Sequence, residues 1–244
     1  MKKILIFIPA YNVESYIFLL FKQIPKIIFK KNKIHFLIIN DNSMDNTQKE
    51  IIRIKKYFSY KIFVYNLKKN IGYGDVQKLA FNFSIKKNYD YAIMLHGDGQ
   101  YTPKKLPEFI KYLCQNKYGA VFGSRMLNYK SALKGRMPYY KFIGNIFLTT
   151  IQNLILSSKI SEFHSGYRSY DIKSLKKINY KKNTSSFHFD TQITIRFLLK
   201  KIKILEIPIP TIYGNHVSHL KSIPYGLNTL FTTIKYKLNR KKYN

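Results

Sequence analysis

The chain contains a single cysteine, Cys114, so no internal disulfide can form and a reducing compartment fits. It stands in an apolar helical pattern and reads as core. Acidic residues are scarce as well: 12 Asp+Glu stand against 43 Lys+Arg, a net charge of +31. Such an excess draws polyanions, which points to nucleic acid, an anionic membrane surface or phosphorylated substrates. Lys, Ile, Asn and Tyr are abundant throughout, so compositional bias with a merely solvated surface is a second reading of the charge. No run reaches the ~20 apolar residues that cross a bilayer. The nearest, 142–158, is uncharged, yet Asn145, Thr149, Gln152 and Asn153 fall on one side at helical spacing and Ile143, Phe147, Ile151 and Leu154 on another. That is an amphipathic helix. The N-terminal Met1-Lys2-Lys3 and the apolar residues behind it stop at Pro9 without a small-residue cleavage site, which favours a buried first strand over a signal peptide. No internal repeat, low-complexity linker or sharp domain boundary is present. A cytoplasmic protein is expected, peripheral on the inner face of the membrane if the charge is functional.

What the sequence does contain is an alternation. Short β-rich runs at 4–8, 34–40, 61–65, 89–95 and 119–123 are separated by helical patterns at 14–30, 46–57, 74–87 and 103–115. Thr102-Pro103 is a good helix start, an N-cap followed by proline at the first helical position. Strands alternating with helices predict an α/β fold with a doubly wound, mostly parallel sheet, and the nearly all-apolar strands fit a sheet covered on both faces. The second half is less regular. A basic loop is expected over 125–141, then the amphipathic helix, a helix near 189–200, a strand near 202–207 and a basic amphipathic helix over 225–243.

In doubly wound sheets ligands bind beyond the carboxyl ends of the strands. Polar, turn-forming residues follow all five strands: Pro9-Ala10-Tyr11-Asn12, Asp41-Asn42-Ser43, Asn70-Ile71-Gly72-Tyr73-Gly74, His96-Gly97-Asp98-Gly99-Gln100 and Ser124-Arg125. Five clusters on one edge describe a site. Asp98, between two glycines, can offer a carboxylate to Mg²⁺ or Mn²⁺, with Gln100 adding an amide oxygen; the bland alternative is an Asp-Gly turn. Asp41 can accept from a base or ribose, or serve as an Asx turn. The segment holding Gly72 could cradle a phosphate, but it is not a Walker loop and Asp75 would repel the anion, so it reads mainly as a helix entry beside the site. Arg125, Arg136, Lys141 and Arg168 suit phosphate contacts or a solvated surface. His164 and His188 are lone histidines, more readily structural than catalytic. Asp190 either caps a helix or faces an acceptor as general base.

Taken together, these segments resemble the family 2 glycosyltransferases of GT-A fold, and within them the dolichyl-phosphate mannosyltransferase-like, polyprenyl-phosphate branch. The resemblance rests on Ile8-Pro9-Ala10-Tyr11-Asn12 with Glu14, on Asp41-Asn42-Ser43, on Asn70-Ile71-Gly72-Tyr73-Gly74, on Asp98-Gly99-Gln100-Tyr101 and on Gly123-Ser124-Arg125. Ser165-Gly166-Tyr167-Arg168 and Glu206-Ile207-Pro208-Ile209-Pro210 continue it to about Tyr213. It implies a UDP- or GDP-sugar donor, Mg²⁺ or Mn²⁺, and inversion by a single in-line displacement. Pro9, Tyr11, Glu14, Asp41, Ser43 and Gly72 would line the nucleotide. Asp98 and Gln100 would hold metal and diphosphate. Arg125, Lys141 and Asn145 would grip an acceptor phosphate, and Arg168 would reach the diphosphate or the acceptor. The family's metal turn is usually Asp-x-Asp; His96 stands at its first position, so it either binds the metal as imidazole or contacts none. The membrane-spanning pair of some relatives is missing, and the basic tail could dock on an anionic surface instead.

The implied organisation is a catalytic domain over 1–215, with a nucleotide-sugar half to 125 and an acceptor half from 126, followed by a basic tail over 216–244. The leading expectation is glycosyl transfer to a lipid-linked phosphate. The alternative is transfer to a hydroxyl of a glycan or glycolipid with Asp190 as base. A nucleic-acid binder, using basic patches among Tyr and Phe, would leave the five strand-end clusters without purpose, so no nucleic-acid partner is expected.

Overall fold

The computed structural model describes residues 1–211 and 222–240. The five expected strands form as β1 (Lys2–Ala10), β2 (Asn32–Asn40), β3 (Ile62–Asn66), β4 (Tyr91–Met94) and β5 (Ala120–Ser124), followed by β6 (Arg168–Asp171) and β7 (Ile204–Pro208). Among the described residues they make one sheet of order β3-β2-β1-β4-β6-β5-β7. Every neighbouring pair is parallel except those of β6, which runs antiparallel between β4 and β5. Alternation within the strands explains the two-sided core. Ile4, Ile6 and Ile8 of β1 join Ile93 and Phe109 on one face, while Leu5 and Phe7 join Met94, Phe81 and Phe189 on the other. All are buried, as a sheet covered on both faces requires.

The helices are α1 (Ile17–Lys22), α2 (Thr47–Tyr57), α3 (Tyr73–Lys86), α4 (Leu106–Leu113), α5 (Tyr129–Lys134), α6 (Tyr139–Leu156), α7 (Ile172–Leu175), α8 (Phe189–Leu199) and α9 (Ser222–Leu238). Three expectations are corrected. The helix expected over 14–30 is only α1 followed by a 3-10 turn, Lys26–Phe29, because Pro25 has no N–H to continue a helical ladder. The basic loop 125–141 contains α5. The strand β6 was not foreseen: Arg-Ser-Tyr-Asp has no apolar run and no clean alternation. It is held by its two ladders, with Ser169 Oγ donating to the Val121 carbonyl at 2.9 Å. Of the expected tail, 216–221 and 241–244 lie outside the described residues. The remainder, largely α9, packs against α6 and α8.

Candidate active site

The carboxyl ends of β1, β2 and β4, with the segment after β5, open into one cleft of about 970 Å³. It is bordered on the opposite side by α6, the 185–190 segment and the start of α9. Of the residues singled out from sequence, Pro9, Tyr11, Glu14, Asp41, Gly72, His96, Asp98, Gln100, Arg125, Lys141, Asn145 and Asp190 line it, while Ser43 and Arg168 do not.

The wall beyond β1 and β2 is built by stitching two loops together. Asn12 N donates to Ser43 Oγ (3.0 Å), Val13 N to Thr47 Oγ1 (2.8 Å) and Glu14 N to Asp45 Oδ2 (3.0 Å). In return Met44 N donates to Asn12 Oδ1 (2.9 Å) and Asn46 N to Glu14 Oε2 (2.6 Å). Ser43 therefore braces the loop, and does not line the cleft. Asp41 accepts from Ile71 N at 2.8 Å and Gly72 N at 3.1 Å. Asp41 lines the cleft, but the Asx turn expected of it does not form: its carboxylate is taken by these distant N–H groups, and Ser43 N donates instead to Asn40 Oδ1 at 3.0 Å. The same two bonds consume the N–H groups that a phosphate cradle at Gly72 would need. Gly72 sits at φ 88°, and a Cβ there would meet the Ser185 carbonyl at 2.8 Å, so glycine is required by geometry.

At the turn after β4, Gly99 takes φ 74° and Asp98 Oδ1 accepts from Gln100 N at 3.0 Å. Asp98 Oδ2 takes no hydrogen bond from a described residue. His96 lines the cleft from within an aromatic nest: its Nε2 lies 3.3 Å from the Tyr73 hydroxyl and its ring stands edge-on to Tyr101. Among the described residues no group of three or more His, Cys, Asp or Glu is placed to hold a metal ion. His164, by contrast, lines the same cleft; its Nε2 is buried and has no partner among the described residues, while its Nδ1 pairs with the Tyr225 hydroxyl at 3.0 Å. Burial pushes this imidazole down to about 4; the Glu162 charge opposes the shift, and Arg125 and Arg168 add to it. It is neutral at pH 7, the state a metal ligand needs.

A folded pKa below the unfolded one means the unfolded chain takes the proton first. The stability held above pH 6.5 is then lost as pH falls toward 4, by up to about 3 kcal/mol. Melting curves across that window should slope in the wild type and flatten in His164→Asn. An unchanged slope would assign the effect elsewhere.

On the acceptor side the expected phosphate grip converges on a carboxylate that sequence reasoning did not single out. Glu162 is fully buried and accepts from Arg125 N (2.7 Å), Arg125 Nε (2.9 Å) and Asn145 Nδ2 (2.8 Å), with Arg125 Nη2 also paired to it. Burial alone would raise its pKa, but the Arg125 charge and these hydrogen bonds prevail and hold it below the usual carboxylate value. Arg125 and Asn145 are thus largely spent on Glu162. Lys141 lines the cleft beside them, its pKa lowered by burial and then by the Arg125 charge. Glu162 had one available signal: it is one of only 12 acids, three residues before the Ser165-Gly166-Tyr167-Arg168 motif.

Arg168 is a correction. It is 0% exposed and directs its guanidinium at protein: Nε to Ser165 O (2.7 Å), Nη1 to Asp190 O (2.9 Å) and Thr194 Oγ1 (2.7 Å), Nη2 to Phe163 O (2.6 Å). It ties β6 to the start of α8, so it positions the cleft without lining it. Asp190 does line the cleft, but both its oxygens already accept, from Tyr73 Oη at 2.7 Å and Gln77 Nε2 at 2.9 Å, and Arg168 Nε stands 3.8 Å away.

The strand-end cleft on a mostly parallel seven-stranded sheet, with one antiparallel strand inserted, is the GT-A architecture of glycosyltransferases. Residues 5–179 match the family model described as "Glycosyl transferase family 2", and the chain belongs to that family. It is 28% identical over 237 residues to an uncharacterised protein of Methanocaldococcus jannaschii, covering 97% of this chain and 93% of that one. It is 24% identical over 251 residues to the UDP-N-acetylglucosamine–dolichyl-phosphate N-acetylglucosaminyltransferase of Methanococcus voltae, covering 98% of each. Among solved structures, glucosyl-3-phosphoglycerate synthase of Mycobacterium tuberculosis superposes with a TM-score of 0.67 at 11% identity, over 97% of this chain and 80% of the other. The same synthase has been solved with Mn²⁺, UDP and glucosyl-3-phosphoglycerate (TM-score 0.64, 10% identity, again 97% and 80%). The protein is therefore a glycosyltransferase.

Proposed function

We propose that this glycosyltransferase moves a sugar, with inversion, from a nucleoside-diphosphate sugar to the phosphate of a polyprenyl-phosphate lipid. The observation that carries the choice of acceptor is the state of Asp190. A hydroxyl acceptor needs a general base, and both oxygens of this carboxylate are committed to Tyr73 and Gln77 in a residue only 6% exposed. A phosphate oxygen is ionised at neutral pH and attacks the anomeric carbon unaided, forming the new C–O bond as the bond to the leaving diphosphate breaks. Lys141, lining the cleft near Arg125, supplies positive potential on that side. The full-length similarity to the Methanococcus voltae enzyme supports both a dolichyl-type acceptor and UDP over GDP in the donor.

Pro9, Tyr11, Glu14 and Asp41 would line the nucleotide. The donor set suits a hard divalent cation: among the described residues Asp98 keeps one carboxylate oxygen without a partner, the Gln100 carboxamide is adjacent, and His164, neutral at pH 7, borders the same cleft. With few protein ligands, the diphosphate and water complete the coordination, as is usual for Mg²⁺. When bound, Mg²⁺ or Mn²⁺ would neutralise charge developing on the leaving diphosphate. His96, packed between Tyr73 and Tyr101, is not among the residues we place on it.

The test is incubation with UDP- and GDP-sugars, Mn²⁺ and a short-chain polyprenyl phosphate. A glycosyl phosphate product is expected. Nucleotide binding without product from any common donor would overturn the reading. Transfer to a glycan hydroxyl is the second reading, favoured only by the presence of Asp190 in the cleft. Asp190→Asn is expected to change kcat less than tenfold, below the ~10²–10⁴ contributed by a general base. A larger loss with intact folding, recovered at high pH, would restore the hydroxyl acceptor.

A further inference from the structure

Helices α6 and α9 bury a mostly polar and small-residue face. Facing the protein, α6 buries Asn145, Thr149, Gln152 and Leu156, and α9 buries Gly226, Thr229, Thr232, Thr233 and Tyr236; only Leu156 and Tyr236 of these bring an apolar contact, with Ile195 of α8. The pair is joined through these groups: Gln152 Nε2 donates to Thr233 Oγ1 at 3.2 Å, and Leu148 packs at Gly226. The most exposed apolar residues of the pair lie on the outward side. Ile143, Phe147 and Leu154 recur along α6, and Leu227, Phe231 and Leu238 along α9, each between 60% and 77% exposed. Scattered exposed apolar residues are ordinary, but two adjacent stripes at helical spacing, over a polar and small-residue seam, invert the pattern that water imposes. Small residues and hydroxyls at a helix–helix seam with apolar flanks outside are what a lipid environment selects. Among the described residues no helix is long and apolar enough to cross a membrane. The pair would therefore lie along a surface.

The geometry points to this two-helix face as the docking surface for a bilayer carrying anionic headgroups, and this deepens the lipid-acceptor reading on which it partly rests. Charge selects the occupant. Residues 125–160 and 222–240 contain no Asp or Glu, and Lys235, Lys237 and Arg240 are exposed along the end of α9. A second copy of a chain of net charge +31 would bring like charge against like across the patch, whereas an anionic surface complements it. Position agrees. The same helices line the cleft with Lys141, Asn145 and Leu148 from α6 and Tyr225 from α9. An enzyme seated on this face takes its acceptor's phosphate from the headgroup layer while the prenyl chain stays in the bilayer.

Sedimentation of the full chain with vesicles tests this, using phosphatidylcholine alone or mixed with phosphatidylglycerol. Binding is expected with the anionic vesicles and reduced by salt. The double variant Phe147→Ser/Phe231→Ser is expected to bind them roughly tenfold or more weakly, with unchanged melting and unchanged turnover of a short-chain, detergent-soluble acceptor. Neither residue lines the cleft. Retained vesicle binding in the variant would overturn the proposal, as would light scattering that shows a wild-type dimer which this variant dissociates. If vesicles bind but no polyprenyl phosphate is glycosylated, the acceptor reading fails and the docking face stands.

Discussion

Asp98→Asn is expected to lower kcat by roughly 10³-fold, about 4 kcal/mol of transition-state stabilisation, with little change in melting temperature. The substitution is a clean one. The bond that shapes the turn runs from Gln100 N to Asp98 Oδ1, and an asparagine oxygen accepts it equally well. Gly99 at φ 74° is untouched. What is lost is one negative charge, on a residue whose second oxygen takes no bond from a described residue. Calorimetry of UDP binding with and without Mn²⁺ separates the causes: Mn²⁺ should strengthen UDP binding to the wild type and make little difference to the variant. Turnover within a few-fold of wild type would remove Asp98 from the metal and diphosphate.

Glu162→Ala should destabilise the fold by about 3–5 kcal/mol, the range for breaking a buried ion pair by removing one partner. For a chain of this size that is a fall in melting temperature of roughly 10 °C. The carboxylate is enclosed by Arg125, including its backbone N–H, and by Asn145, and its loss leaves the Arg125 charge without its carboxylate partner. The acid dependence has a definite sign. The folded pKa is depressed, so the contribution of Glu162 is complete above its ordinary value of 4.5 and is lost as pH falls through the lower folded value. Glu162→Gln should abolish that part of the acid slope while retaining the shape of the site. A variant that melts with wild-type stability and wild-type acid slope would show that Arg125 finds another partner.

These two residues mark how far the sequence could be read. Asp98 was legible because a local signal and a topological rule agree: an acid between glycines, directly after an apolar run, at the edge where doubly wound sheets bind ligands. Pro9, Asp41 and Gln100 follow from the same rule and Glu14 from the family resemblance, and the structure places all of them around one cleft. Glu162 was not legible. Its partners lie 37 and 17 positions away, and no local pattern distinguishes a carboxylate that will neutralise a cleft arginine from one on the surface. The same holds for Arg168, whose type suggested phosphate but whose bonds all stay inside the protein.

The sequence by itself determined the alternation of elements, the two-sided apolar strands and the five polar strand ends. Each of these depends on residues close together in the chain: a period of two or of 3.6, a glycine where φ is positive, a proline where a helix stops. The tertiary structure alone decided which charges meet. It inserted β6 antiparallel into the sheet, spent Arg125 and Asn145 on Glu162, sealed Arg168 behind α8, turned His96 into an aromatic nest and left His164 Nε2 without a partner among the described residues. It also settled the sidedness of α6. Periodicity shows that a helix has a polar stripe and an apolar one; only packing against α9 decides that the polar stripe is the one buried, because hydroxyls and amides find their hydrogen bonds there and the apolar stripe is left to face outward.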